Sequence, residues 1–111
     1  MTPKLVTWLG NSRKAVQAFP ELARSAVGRE LFLVQQGLTP SDWKPMGSIG
    51  PGVVEIRIHT AQEFRVIYIA RFEEVIYVLH AFEKRTQKIR TLDLDLARKR
   101  LGQLIRFKLG R

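Results

Sequence analysis

The chain has 111 residues, of which 45% are hydrophobic, and its formal net charge is +9. This length and composition exclude wholesale disorder and predict one domain, residues 1–111, with a single modest core. The positive charge predicts attraction to nucleic acid, an anionic membrane or an acidic protein. Because the chain has no cysteine, disulfides and thiolate metal sites are excluded.

The positive charge is concentrated in the last third of the chain. Residues 80–111 contain ten lysines and arginines but three acidic residues, whereas residues 1–79 contain nine and seven. No segment approaches the ~20 apolar residues of a membrane span, and the N-terminus lacks the apolar stretch of a signal peptide. We therefore expect a soluble, cytoplasmic protein without a membrane partner, whose basic function lies near the C-terminus.

The first third of the chain predicts a short strand followed by two helices. Residues 4–9 form the strand, and Ser12 is a candidate N-cap for a helix over about residues 13–19. A second helix runs from Glu21 to Gly37, because apolar residues recur there at steps of three and four: Leu22, Ala23, Ala26, Val27, Leu31 and Val34.

Residues 37–52 contain three prolines and four glycines, which predicts a long loop. Three runs rich in β-branched and aromatic residues follow, separated by short turns, and predict an antiparallel meander: Val53–His59, Glu63–Arg71 and Val75–Phe82. In the first run the alternation predicts one apolar face and one polar face, with Glu55, Arg57 and His59 on the polar side.

The last predicted element is an amphipathic helix from about Leu92 to Phe107, with Thr91 or Asp93 as its cap. The order of elements is β-α-α-β-β-β-α. It predicts an α+β fold in which a small antiparallel sheet carries two N-terminal helices and a C-terminal helix.

Metal and cofactor chemistry has little support in the sequence. The two histidines, His59 and His80, have no cysteine or paired carboxylate at ligand spacing, and His80 lies within an apolar run. No glycine-rich phosphate loop opens a helix, and none of the four serines lies in a nucleophile elbow. We therefore predict no metal and no cofactor.

The arginines and lysines indicate a site for phosphate groups. Arg57 and Arg65 lie on neighbouring predicted strands, and like charges on one sheet face repel unless an anion lies between them. The alternative is that each arginine pairs with a neighbouring carboxylate, Glu55 or Glu63. Lys84 and Arg85 follow the third strand of the meander, and Lys44 precedes its first strand.

Such a cluster suits RNA or DNA, because arginine and lysine neutralise phosphates. It also allows RNA cleavage without metal, since arginine stabilises the charge of a phosphorane-like transition state and the 2′-hydroxyl of the RNA is the nucleophile. A base and an acid are still required, and the candidates are His80, Lys84 and Tyr68. In the segment LHAFEKRTQKIR, residues 79–90, Lys84 and Arg85 are candidates for the site. Lys88 and Arg90 either contact RNA or only link the strand to the last helix.

Several stretches together resemble the RelE/ParE toxin superfamily, most closely its HigB-like, phage-related branch. They are LTPSDWKPMGSIGPGVVEIRI, EFRVIYIA, VIYVLHAFEKRTQKI and LDLARKR, and the resemblance covers roughly residues 15–106. It implies the toxin of a type II toxin–antitoxin system. It further implies a ribosome-dependent endoribonuclease that cleaves mRNA in the ribosomal A site without metal and is neutralised by a cognate antitoxin of helix-turn-helix type.

The resemblance also implies roles for individual residues. Arg65 matches the arginine that stabilises the transition state, and Arg57 matches the arginine of the preceding strand. Lys84-Arg85 match the basic pair after the last strand, and Lys44 matches a basic residue of the loop. The C-terminal tyrosine of many RNA-cleaving members has no counterpart, because no tyrosine follows Tyr77.

The missing tyrosine leaves the general base unassigned, with His80 as a substitute. Two alternatives to the nuclease remain. One is a non-enzymatic toxin that inhibits a protein such as DNA gyrase, as the ParE branch does. The other is an inactive, phage-derived RNA-binding relic.

Overall fold

A five-stranded sheet forms the centre of the protein in the computed structural model, which describes residues 3–72 and 74–110. The elements follow each other along the chain as β1 Leu5–Trp8, α1 Ser12–Gln17, α2 Glu21–Gln35, β2 Trp43–Pro45, β3 Val53–His59, β4 Glu63–Ile69, β5 Val75–Glu83 and α3 Thr91–Leu109. The predicted α+β fold is confirmed. Its element order is also confirmed, apart from one additional short strand.

The strands lie in the order β1-β5-β4-β3-β2. The meander of β3, β4 and β5 is antiparallel, as predicted, whereas β1 runs parallel to β5 and lies at one edge of the sheet. The strand β2 forms the other edge and pairs with β3. It lies inside the segment that the sequence predicted to be a loop throughout. That prediction was wrong because β2 has only three residues, all exposed and one of them proline.

Two apolar clusters cover the two faces of the sheet. One holds α1 and α2 against the sheet through residues such as Phe19, Val27 and Ile56. The other holds α3 against the opposite face through Ala97, Leu101 and Leu104. The predicted apolar stripe of α2 is largely buried, but Leu22 is 76% exposed and does not belong to it.

The helix starts differ from the sequence prediction. Asn11, not Ser12, precedes α1, and the buried Ser12 hydroxyl instead donates to the Val78 carbonyl at 3.2 Å. Arg90 precedes α3 and makes no side-chain cap, while Asp93 bonds to His80. The side chains of Ser12 and Asp93 therefore each connect a helix to β5. These are tertiary contacts, which a local capping rule does not predict.

The pairing of β4 with β5 contains an irregularity. Ile67 lies opposite His80 and Tyr68 lies opposite Val78, so Leu79 is an additional residue in β5. Because of this bulge, Leu79 and His80 both face α3.

Within residues 3–72 and 74–110, no helix combines the length and the apolar character needed to cross a bilayer.

Candidate nucleic-acid interface

Arg57 on β3 and Arg65 on β4 lie directly opposite each other in the sheet. The alternation of β3 places Ile56 and Ile58 in the cluster under α1 and α2, so Arg57 is directed to the other face, where α3 packs. The side chain of Arg57 is 35% exposed and that of Arg65 is 7% exposed. The predicted convergence of the two guanidinium groups is therefore present.

Carboxylates lie beside both arginines, so the alternative interpretation of the sequence also holds. Arg57 Nε donates to Glu55 Oε1 at 3.1 Å, and Arg65 Nη1 donates to Glu63 Oε1 at 3.0 Å. Arg65 Nη1 also donates to the Phe64 carbonyl at 2.9 Å. The two carboxylates reduce the repulsion between the guanidinium groups before any ligand arrives.

A cleft of about 350 Å³ opens over this pair. Five basic side chains and one carboxylate line it, so its electrostatic potential favours an anion. Apolar side chains from the loop and from α3 complete its walls. The lining residues are Lys44, Met46, Ser48, Glu55, Arg57, Arg65, Lys84, Gln87, Lys88, Ile89 and Leu94.

Backbone pairing between neighbouring strands places a lysine at each of two edges of the cleft. Lys44 lies opposite Glu55 because β2 pairs with β3. On the other side, the Lys84 amide donates to the Glu63 carbonyl at 2.7 Å, which extends the β4–β5 pairing by one residue. Lys84 Nζ donates to the Gln87 carbonyl at 2.7 Å, and Lys84, Gln87 and Lys88 line this side of the cleft.

His80 lies outside the cleft. Its side chain is 7% exposed, and its Nε2 is 2.7 Å from Asp93 Oδ1 on α3. Arg100 Nη1 approaches Nδ1 at 3.3 Å. Because a guanidinium only donates, Nδ1 accepts and Nε2–H donates to Asp93, which is the neutral tautomer. Burial, followed by the charges of Arg100 and Arg90, lowers the pKa of His80 against the opposing effect of Asp93.

Three other predicted residues also lie away from the cleft. Arg85 has a side chain that is 79% exposed and pairs with Glu83 at 3.2 Å. Arg90 pairs with Asp93 at 3.3 Å. Tyr68 belongs to the cluster under α1 and α2, on the opposite face of the sheet, and burial raises its pKa to about 12. Of the three acid and base candidates named from the sequence, only Lys84 lines the cleft.

An exposed charge cluster lies beside the cleft at the end of β3. His59 Nε2 is 2.6 Å from Asp42 Oδ2, and its Nδ1 is 2.8 Å from Glu63 Oε1. Hydrogen bonds to Asp42 and Glu63 raise the pKa of His59 and favour the imidazolium. Among the residues that the structure describes, no group of three or more His, Cys, Asp or Glu side chains is placed to hold a metal ion.

The sequence did not identify Glu55 as part of the cleft lining, although it named Glu55 as a partner for an arginine. Alternation with Arg57 placed it on the correct face, but only the packing shows that it is 2% exposed. The sequence does not predict that the apolar lining residues lie together, because each comes from a different segment. These residues are Met46, Ile89 and Leu94.

The fold resembles that of toxins from toxin–antitoxin systems. The E. coli toxin RelE in the free state, solved as an arginine double mutant, matches with a TM-score of 0.65 at 13% sequence identity. That match covers 94% of this chain and 99% of RelE. The toxin–antitoxin complex RelBE2 from Mycobacterium tuberculosis matches with a TM-score of 0.54 at 21% identity, covering 74% of this chain and 99% of the other. The fold is therefore of the RelE type.

The sequence family is narrower than the fold. The model of the family "Phage derived protein Gp49-like" matches residues 14–102, and the chain belongs to this family. The phage-related family predicted from the sequence is thereby confirmed, and the RelE-type fold agrees with the predicted resemblance. Comparison with curated protein sequences gave no significant match.

Proposed function

We propose that this protein is the toxin of a type II toxin–antitoxin system and an endoribonuclease that cleaves mRNA on the ribosome. The observation that carries the proposal is the cleft in which Arg57 and Arg65 lie side by side, with Lys44, Lys84 and Lys88 around them. The RelE-type fold and the Gp49-like family support it.

The cleft has the groups required to cleave RNA by transfer to its own 2′-hydroxyl. The guanidinium groups of Arg57 and Arg65 stabilise the negative charge that develops on the phosphorus oxygens. The ammonium group of Lys84 has protons to donate to the departing 5′-oxygen. Lys44 and Lys88 bind the neighbouring phosphates. In this scheme Arg85 and Arg90, which lie outside the cleft, contact RNA only beyond the scissile phosphate.

The partner that we propose is a cognate antitoxin of helix-turn-helix type, encoded beside the toxin gene. RelBE2 is a toxin–antitoxin complex, and the net charge of +9 on this chain favours an acidic partner surface. Co-expression of the neighbouring gene should restore growth to cells that produce this protein. The toxin would act in the cytoplasm, where the ribosomes are.

The test is to map mRNA 5′ ends by primer extension after brief induction. We expect new 5′ ends within translated reading frames for the wild type and none for Arg65→Ala. The matched control is Arg24→Ala, which removes an exposed arginine from α2 on the other side of the sheet and should cleave like the wild type. Thermal unfolding of purified Arg65→Ala shows whether its fold is retained.

Two results would contradict the proposal. Cleavage by Arg65→Ala at the wild-type level would remove the assigned role of this arginine. Growth inhibition with unchanged mRNA 5′ ends and arrested DNA supercoiling would favour a gyrase inhibitor.

A further inference from the structure

Glu55 is the acidic member of the cleft lining, and its carboxylate is incompletely bonded. Buried carboxylate oxygens nearly always accept a hydrogen bond. Glu55 Oε1 accepts one from Arg57, but Oε2 is buried without a partner. Among the described residues, the only other buried side-chain polar atom without a partner is Arg65 Nε, which is 3.9 Å from Glu55 Oε1. A donor and an acceptor thus remain unused in one site.

We propose that Glu55 is the general base of the cleavage reaction, an inference that rests on the proposed function. The Glu55 carboxylate takes the proton of the 2′-hydroxyl while the bond from O2′ to phosphorus forms. The bond from phosphorus to O5′ breaks, and O5′ takes a proton from the Lys84 ammonium. The products are a 2′,3′-cyclic phosphate and a 5′-hydroxyl, and the proton on Glu55 returns to Lys84 through water.

The other groups of the cleft do not serve as the base. Lysine and arginine side chains carry their protons at neutral pH, and the hydroxyl of Ser48 binds no further proton. His80 and Tyr68 are directed elsewhere in the fold. Glu55 is therefore the lining side chain that accepts a proton readily.

Arrival of the phosphate exposes this base. In the free protein the carboxylate is covered, and a single bond from Arg57 Nε holds Oε1. The Arg57 side chain is a third exposed, so it is free to turn toward a phosphate, which it binds through two parallel hydrogen bonds. Once Arg57 moves to the phosphate, Glu55 Oε1 loses its donor, and both carboxylate oxygens are left to accept a hydrogen bond from the 2′-hydroxyl. Substrate binding and activation of the base are coupled in this way.

The experiment measures single-turnover cleavage of mRNA on purified ribosomes between pH 5.5 and 8.5. Relative to the wild type, Glu55→Gln should lower the rate about 10²- to 10⁴-fold while ribosome binding is maintained or tightened. Its rate should also rise about tenfold per pH unit, because hydroxide then takes the proton of the 2′-hydroxyl, whereas the wild-type rate should change less with pH. Glu55→Asp should keep the wild-type pH dependence at an intermediate rate. The matched control for loss of one carboxylate is Glu30→Gln on α2, whose side chain bonds to Ser41 and whose rate should equal that of the wild type.

A substrate with sulfur in place of the 5′-oxygen separates the base from the acid. Sulfur leaves without a proton, so this RNA should restore cleavage by Lys84→Ala and leave Glu55→Gln slow. If Glu55 only holds the arginines in place, the cleavage rate of Glu55→Gln should have the same pH dependence as that of the wild type. That result would overturn the inference. If Glu55→Gln does not fold, a wild-type rate that itself rises about tenfold per pH unit, as expected when hydroxide is the base, overturns it instead. Absence of cleavage by the wild type overturns the proposed function itself.

Discussion

Arg65 is 6% exposed, and arginine is rarely buried so deeply without a specific reason. Here Glu63 and the Phe64 carbonyl bind its Nη1, and Glu55 lies within 4 Å of its Nε. These contacts leave the guanidinium few conformations, so a phosphate bound according to the proposal would meet a donor that is already oriented. Arg57, with more exposure and a single bond to Glu55, has the freedom that Arg65 lacks. Neighbouring arginines on one sheet thus differ in exposure and in the number of groups that bind them.

The two histidines are predicted to shift stability with pH in opposite directions. Because burial lowers the pKa of His80, its contribution is complete above the unfolded value of 6.5 and is lost as the pH falls below it. Because hydrogen bonds raise the pKa of His59, its contribution is complete below 6.5 and is lost as the pH rises through the folded pKa. Urea unfolding at pH 5.5 and pH 8 measures both effects.

The comparison uses His80→Ala and His59→Ala, each against the wild type. At pH 8 the His80→Ala variant should lose about 1–3 kcal/mol, because Asp93 loses a buried hydrogen bond, and the loss should be smaller at pH 5.5. The loss caused by His59→Ala should be larger at pH 5.5 than at pH 8. Two differences that change in the same direction would contradict the assigned protonation states.

At the scale of secondary-structure elements, α3 both closes the core and forms a wall of the cleft. Leu101 packs so closely on Gly50 that a side-chain carbon added at Gly50 would overlap its Cδ2. Leu94, two turns earlier on the same helix, lines the cleft. Packing at Leu101 therefore helps to fix the position of this wall.

We predict that Leu101→Ala lowers the free energy of unfolding by about 2–5 kcal/mol, because it removes buried methyl groups and leaves a cavity beside Gly50. The control is Leu109→Ala on the same helix, at a position that is 81% exposed, where the change should stay within about 0.5 kcal/mol. Denaturant unfolding followed by circular dichroism measures both. Equal losses would mean that α3 does not pack on the sheet through Leu101.

The elements that the sequence predicted well are those whose periodicity reports burial. The strands β3, β4 and β5 alternate or form long apolar runs, and α2 and α3 carry stripes, so their positions followed from residue type. The strand β2 could not be predicted, because three exposed residues have no periodicity and are defined by pairing with β3. The same limit applies to the candidate site. Arg57, Arg65 and Lys84 followed from strand order, whereas the separation of His80 from the cleft depends on packing against Asp93.

At the scale of the whole molecule, the proposed RNA binding would depend separately on the charge of the chain and on the cleft. The net charge of +9 attracts any polyanion, and five of the nineteen basic residues line the cleft. If RNA occupies the cleft, counterions are released from the phosphates that contact particular lysines. The logarithm of the binding constant then falls linearly with the logarithm of the salt concentration.

We predict that Lys44→Ala and Lys88→Ala each reduce the magnitude of the salt slope by about 0.7, the value for one phosphate contact on a single strand. Fluorescence anisotropy of a labelled single-stranded RNA between 50 and 200 mM salt measures the slope. Arg24→Ala, which removes an equal charge from the far side of the sheet, should leave it unchanged. An equal reduction by all three variants would mean that RNA is held by the overall charge and not by the cleft.

The bulge at Leu79 acts as a phase shift in β5. Before it, the odd-numbered residue Tyr77 faces α3; after it, the even-numbered His80 and Phe82 do. Lys84, which is also even-numbered and follows the end of the strand, lies on the same side and lines the cleft. In a regular strand Glu83 would take that orientation, and a carboxylate would replace the ammonium at the cleft edge. The bulge at Leu79, five positions before Lys84, therefore decides the sign of the charge that RNA would meet.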